Sequence, residues 1–458
     1  MGRSDPMAEL APTLLLDGPR PGDEALARVR ARHTAARGRV LRAEVETAYK
    51  QQLDLLRGED AFTLLERAGL IVSTTTARAN PDGSETQVTV AQAPPVESIA
   101  MARTGLQIRF TALLGHSRAT WDKALPILAT ALHKPEATVE QRPGQFVLCL
   151  NDRDPFDGVR AKTPPLSTTA WHIGADETGE PVLLSVKNKS GWIVGGLGGT
   201  GKTALMTSVV VPWLKAGLMD LRVVDGKFGM DWEHLRPYAT EFVSEPDMQA
   251  VVRLFTEVRE IAEWRAKHFY EQYGEANWWS LPDAVRSEHP LIAVLCDEFQ
   301  SLMAPTKTGD AAADKKLAAI ASAVQSLVYF FVTRCRSLGV LWIGMSQRPD
   351  ADAVPTGIRD NAQLRTCLRV TKRSAATMAL GDTWDPDETG PALDPVRLPA
   401  DKPGRMILMD DQGKFRQVQG VYLPADQVRV ELADVTPRRA PGGHYAAEHD
   451  EDKGEGDE

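Results

Sequence analysis

Short, uninterrupted apolar runs mark the second half of the chain. Leu291-Ile292-Ala293-Val294-Leu295-Cys296 and Val340-Leu341-Trp342-Ile343-Gly344-Met345 show no alternation, the pattern of parallel strands buried on both faces. Leu221-Arg222-Val223-Val224-Asp225, Val182-Leu183-Leu184-Ser185-Val186 and Trp192-Ile193-Val194 read as further short strands. Segments of helical composition lie between them, at 203–214, at 248–273 and in a long stretch ending at Arg336. Strands alternating with helices predict an α/β fold with a parallel, doubly wound sheet. Such sheets bind ligands at the C-terminal ends of their strands. Polar residues fall at those ends here: Asp225, Asp297-Glu298 and Ser346-Gln347-Arg348.

The first half is patterned differently. Residues 1–22, rich in Pro, Gly and Asp, are expected to be disordered. Residues 23–70 are helix-forming and lead through a strand-and-turn or linker stretch to residue 95. Arg28, Arg30, Arg32, Arg37, Arg39 and Arg42 make that helical region basic at its start. A solvated helix face is the simpler account; contact with nucleic acid, a membrane surface or a partner is the alternative. Residues 96–152 read as a small α+β adaptor module. Ser98-Ile99-Ala100-Met101 and Gln107-Ile108-Arg109-Phe110 are strands, 121–132 has helical spacing, and Phe146-Val147-Leu148-Cys149-Leu150 is another strand. No catalytic constellation is visible in it. A Pro- and Gly-punctuated linker, 152–174, opens the second domain, 153–435. The acidic tail, 436–458, is expected to be disordered.

Composition narrows the picture little. The chain of 458 residues has room for two or three domains. No run of about 18 or more apolar residues appears, and the N-terminus has no signal-peptide core, so a cytoplasmic protein is expected. Cys149, Cys296, Cys335 and Cys367 are widely spaced in apolar runs, without zinc or disulfide spacing. The net charge of −9 argues against a generally basic nucleic-acid binder but leaves room for a local basic track.

One motif changes the picture. Gly196, Gly201, Lys202 and Thr203 fill the G-x-x-x-x-G-K-T pattern of a phosphate-binding loop, between a strand end and a helix. Glycines let backbone N–H groups turn inward onto phosphate oxygens. The candidate nucleotide contacts are Gly196, Leu197, Gly198, Gly199, Thr200, Gly201, Lys202, Thr203 and Ala204. Lys202 would reach the β- and γ-phosphates of ATP, and the Thr203 hydroxyl would ligate Mg²⁺. Asp297 would hold the same metal, and Glu298 would polarise the attacking water. Gln347, at the next strand tip, would sense the γ-phosphate; a plain strand-end cap is the alternative.

These residues together resemble the FtsK/SpoIIIE family of RecA-like motor ATPases. The resemblance runs in order through residues 195–203, Asp225-Gly226-Lys227, Asp297-Glu298-Phe299-Gln300-Ser301-Leu302-Met303, Arg336-Ser337-Leu338-Gly339-Val340 and Ser346-Gln347-Arg348-Pro349. It continues through Gly357-Ile358-Arg359-Asp360-Asn361-Ala362-Gln363-Leu364-Arg365, where a spacer after the glycine is missing, and covers roughly residues 96–425. The resemblance implies a homo-oligomeric ring, usually a hexamer, that pulls double-stranded DNA through its centre. It also implies an arginine finger from the neighbouring subunit, with Arg365 as first candidate and Arg359 as second. Pore-lining loops would bear the DNA contacts, with Lys307, Lys315, Lys316 and the stretch 369–373 as candidates; a merely solvated helix is the alternative.

The chromosome-segregating members carry membrane helices and a terminal DNA-reading winged helix, neither of which is visible in this sequence. The closer resemblance is to the transfer ATPases of actinomycete conjugative plasmids and integrating elements, acting with a membrane or envelope partner at the inner face of the membrane. A type VII secretion-like ATPase moving protein, a chromosome-partitioning relative and a non-motor regulator are the alternatives.

Overall fold

The computed structural model describes residues 45–436 except 59, 80–84, 103, 135–136, 160–161, 228, 245–246, 348–353, 390 and 411. The expectations for residues 1–22, the arginines of 28–42, Arg348, Pro349 and the tail from 437 lie outside the described residues. The chain divides after Asp157 into two units.

The first unit opens with two short helices, α1 (Lys50–Arg57) and α2 (Asp60–Arg67), and an antiparallel hairpin of β1 (Val72–Ala79) and β2 (Glu85–Gln92). A second antiparallel sheet follows, ordered β3 (Val96–Met101), β4 (Gly105–Thr111), β6 (Gln145–Asn151), β5 (Thr138–Arg142). Alternation on β4 sends Leu106, Ile108 and Phe110 fully inward. Helix α3 (Arg118–Ala131) starts at Ser117, whose side chain forms a capping box with Thr120. It lays Trp121 on Phe146, stacked at 5.0 Å. Leu53, Leu56, Leu64 and Leu65 of α1 and α2 enter this same core. The helical stretch and the α+β module thus share one interior.

The second unit is built on a ten-stranded sheet. Its parallel half runs β11 (Glu241–Val243), β10 (Met219–Asp225), β12 (Leu291–Asp297), β13 (Val340–Ser346), β9 (Gly191–Gly195), β14 (Leu364–Leu368). Four antiparallel strands extend it: β15 (Arg405–Met409), β16 (Phe415–Gly420), β7 (Ala170–Ala175) and β8 (Pro181–Ser185). The fold is α/β and RecA-like, as the sequence predicts, with a mixed rather than wholly parallel sheet. Strand β7 occupies part of the stretch read as linker. Its apolar signal is only two large residues two apart, Trp171 and Ile173, both buried.

Helices cover both faces. On one, α4 (Lys202–Lys215) buries Leu205, Met206, Val209 and Val210. On the other, α5 (Met248–Tyr273) and α8 (Ala311–Arg334) bury Val251, Phe255, Val324, Val328 and Phe331. Each large apolar side chain buried this way contributes about 1.5–3 kcal/mol. Among the described residues, α8 alone is long and apolar enough to cross a membrane. Val324, Leu327, Val328, Phe331 and Val332 in its C-terminal half pack in the core against the sheet.

Candidate functional site

The parallel registers assemble the site. Asp225 stands opposite Asp297 across β10 and β12, and Gly195 opposite Ser346 across β9 and β13. The C-terminal ends of four adjacent strands therefore bring the phosphate loop, Asp297, Glu298 and Gln347 together.

The loop leaves β9 through Gly196 and enters α4 at Gly201, both with positive φ (157° and 104°). A Cβ on Gly196 would lie 2.8 Å from the Leu368 Cβ, and one on Gly201 2.8 Å from the Gly404 nitrogen. Only glycine satisfies both backbone and space there. The loop is pinned from outside: Gly196 N–H donates to the Ser346 carbonyl (3.1 Å), Leu197 N–H to that of Arg369 (2.9 Å), and Gly404 N–H to that of Thr200 (2.7 Å). The N–H groups of Lys202, Thr203 and Ala204 open α4 and have no acceptor within the helix, which makes its N-terminus a site for anions.

Lys202 is buried, and its Nζ donates to the carbonyls of Gly196 (2.7 Å) and Leu197 (2.9 Å). Burial pushes its pKa down to about 8, with Asp297 and Glu298 pulling upward and Lys227 downward. Asp297 is buried and fully engaged. Its Oδ1 accepts Glu298 N–H (2.9 Å); its Oδ2 accepts the Trp232 indole N–H (3.2 Å) and pairs with Lys227 Nζ (3.1 Å).

Glu298 has left-handed backbone, φ 48°, an uncommon state for a non-glycine residue. Its Oε2 accepts Gln347 N–H at 3.0 Å, and its other oxygen accepts the Gln300 amide. Gln300 in turn bonds the Ser346 hydroxyl, so the carboxylate is tied to both strand ends. Burial and the Asp297 charge hold the Glu298 pKa above the usual carboxylate range. The Gln347 side chain faces the loop: its Oε1 is 3.1 Å from where a Gly198 Cβ would stand.

Other candidates are placed elsewhere. Arg365, on β14, is buried on the face that Cys367 shares. It donates to the Arg359 carbonyl and lies against Gly381, and burial lowers its pKa to about 10. Its described contacts lie within this chain. Arg359, on α9 (Thr356–Asn361), is half-buried and donates to the Thr356 hydroxyl at 3.1 Å. Lys307, Lys315 and Lys316 are exposed, on the segment after α7 (Phe299–Met303) and the first turns of α8. In the stretch 369–373, Arg369 anchors the loop through its carbonyl, and Arg373 pairs with Asp394 at 3.7 Å. Sequence reasoning gave no role to Lys227, Trp232 or Gln300. Lys227 was visible only as the end of Asp225-Gly226-Lys227.

No protein-family model matches the chain, and no curated protein matches it. Among solved structures, the pCW3 conjugation coupling protein TcpA, a monomer form with ATPγS, matches over 81% of this chain and 97% of its own. The identity is 19% and the TM-score 0.51. The cytoplasmic domain of the Thermomonospora curvata type VII secretion ATPase EccC matches over 64% of this chain and 33% of its own, at 20% identity and TM-score 0.44. ATPases 2 and 3 of Geobacillus thermodenitrificans EssC match over 60% and 51%, at 16% identity and TM-score 0.45. The TcpA likeness fixes the fold, a RecA-like P-loop architecture running through most of both chains.

Proposed function

We propose that this chain is an ATPase of the FtsK/SpoIIIE type that moves double-stranded DNA, in conjugative transfer of a plasmid or integrating element. The observation that carries the reading is the convergence of a phosphate loop, a buried aspartate and a tethered glutamate on adjacent parallel strand ends. The likeness to a conjugation coupling protein along nearly its whole length supports the choice of transfer over other translocation.

Lys202 exchanges the carbonyls of Gly196 and Leu197 for phosphate oxygens and neutralises their charge. The N–H groups that open α4 add further donors. The Thr203 hydroxyl and the Asp297 carboxylate are hard oxygen donors and fit Mg²⁺. When bound, the ion neutralises charge on the phosphates. Glu298, with its carboxylate fixed between Gln347 and Gln300, takes the proton from the attacking water. Gln347, lying against Gly198, senses whether the γ-phosphate is present.

A ring, with six subunits by resemblance, gives each site an arginine from its neighbour, and Arg359 becomes the first candidate. Lys307, Lys315 and Lys316 would meet DNA phosphates. A peripheral position at a membrane, through a partner, accompanies this role. Displacement of a triplex-forming strand from linear duplex DNA, driven by ATP, tests the motor. Displacement that stops in Lys202→Ala supports it; a wild-type chain that hydrolyses ATP without displacing the strand contradicts it.

A further inference from the structure

Asp297 already has a counter-ion. Lys227 Nζ lies 3.1 Å from its Oδ2, and a second carboxylate, Asp231 Oδ2, lies 3.3 Å from the same ammonium. The two carboxylates differ: the Asp297 side chain is 1% exposed and that of Asp231 55%. The turn that holds Lys227 is itself fixed, because Asp225 accepts the N–H groups of Lys227 and Gly229, each at 3.0 Å. Lys227 therefore bridges a buried site and the surface.

A divalent cation at Asp297 and the Lys227 ammonium would be like charges a few ångströms apart, where little water screens them. A buried carboxylate with no cation is also costly. Both costs are avoided when one cation replaces the other. We propose that Lys227 and the metal ion are alternative partners of Asp297: Lys227 holds the carboxylate in the empty site and is released onto Asp231 when the metal enters. The neutral Trp232 indole N–H keeps Asp297 oriented through the exchange. Lys227 is thus a positioning residue, and the surface turn bearing Asp231 receives a charge each time the site fills. The inference rests on Asp297 as a metal ligand.

The test is Mn²⁺ binding to the full chain, read by electron paramagnetic resonance, without nucleotide and with ATPγS. Lys227→Met should bind Mn²⁺ without nucleotide about fivefold or more tighter than wild type, the scale of removing one nearby like charge. Adding Asp297→Asn should erase that gain. Asp231→Asn, at an exposed position that folding tolerates, removes the second berth and should weaken Mn²⁺ binding severalfold. Equal affinities in wild type and Asp231→Asn, or in wild type and a folded Lys227→Met, overturn the proposal. Wild type that binds no Mn²⁺ even with ATPγS overturns the metal site itself, and the exchange with it.

Discussion

Burial sets the chemistry of Lys202. With its pKa near 8 in the empty site, it is a cation at neutral pH and loses its proton above that value. Phosphate binding requires the cation, so above pH 8 nucleotide binding must take up a proton. Affinity for a fluorescent ATP analogue should be flat below about pH 7 and fall through pH 8, by at most about tenfold per pH unit. An affinity unchanged to about pH 9.5 contradicts this reading of the lysine. Lys202→Ala should lower turnover by roughly 10²–10³, the scale of a deleted charge-stabilising donor. Glu298→Gln should retain ATP but lose hydrolysis by about 10²–10⁴, because the amide cannot accept the proton. In the wild type, hydrolysis should fall with acidification at higher pH than for an ordinary carboxylate, since the Glu298 pKa is raised. Lys202, Asp297 and Glu298 were legible because a motif fixed the loop and an apolar strand ended at the carboxylates. Lys227 and Trp232 were not, because they lie in the turns after β10 and bond Asp297 far along the sequence. The burial of Arg365 was not legible either, because its position along β14 says nothing about which face it takes, and β14 is buried on both.

At the scale of elements, two segments at the edge of the site carry the remaining predictions. Arg359 sits on α9, ahead of β14, while Arg365 is inside the sheet's own packing. If the proposed ring forms, doping it with Glu298→Gln subunits should rescue Arg359→Ala, because each variant supplies what the other lacks at a mixed interface. Arg365→Ala should instead lower the melting temperature and gain nothing from doping. Rescue of Arg365→Ala alone would return the finger role to it. The segment between α7 and α8 is ordered by carboxylates: Asp310 caps α8 through Ala312 and Ala313, and Asp314 accepts from Thr308. Its lysines stay exposed. Neutralising Lys307, Lys315 and Lys316 should lower DNA-stimulated hydrolysis. It should also reduce the salt slope of duplex binding by about one unit for each DNA phosphate left without its lysine. An unchanged slope leaves these lysines as solvation for an Ala-rich helix. Strands with continuous apolar runs, β12 and β13, were plain in the sequence. Among the antiparallel strands β8 was legible as an apolar run, but β7 shows only Trp171 and Ile173 as large apolar residues, and its partner β16 only Phe415 and Val418.

For the whole molecule, the acidic balance and the proposed DNA track are compatible only if basic residues gather where DNA passes. The first unit joins α1, α2 and a four-stranded sheet in one core. That union is invisible in sequence because the apolar residues that meet are separated by the β1–β2 hairpin. The second unit carries the phosphate loop, Asp297, Glu298 and Gln347, and the fold of the chain matches 97% of a conjugation coupling protein. A motor on DNA and an exporter of protein differ in what accelerates hydrolysis. The decisive measurement is therefore the steady-state ATPase rate of the full chain with and without duplex DNA, at low and high salt. The account predicts a rate raised by duplexes of unrelated sequence, with the increase vanishing as salt rises. A rate indifferent to duplex DNA but raised by a partner protein would contradict it.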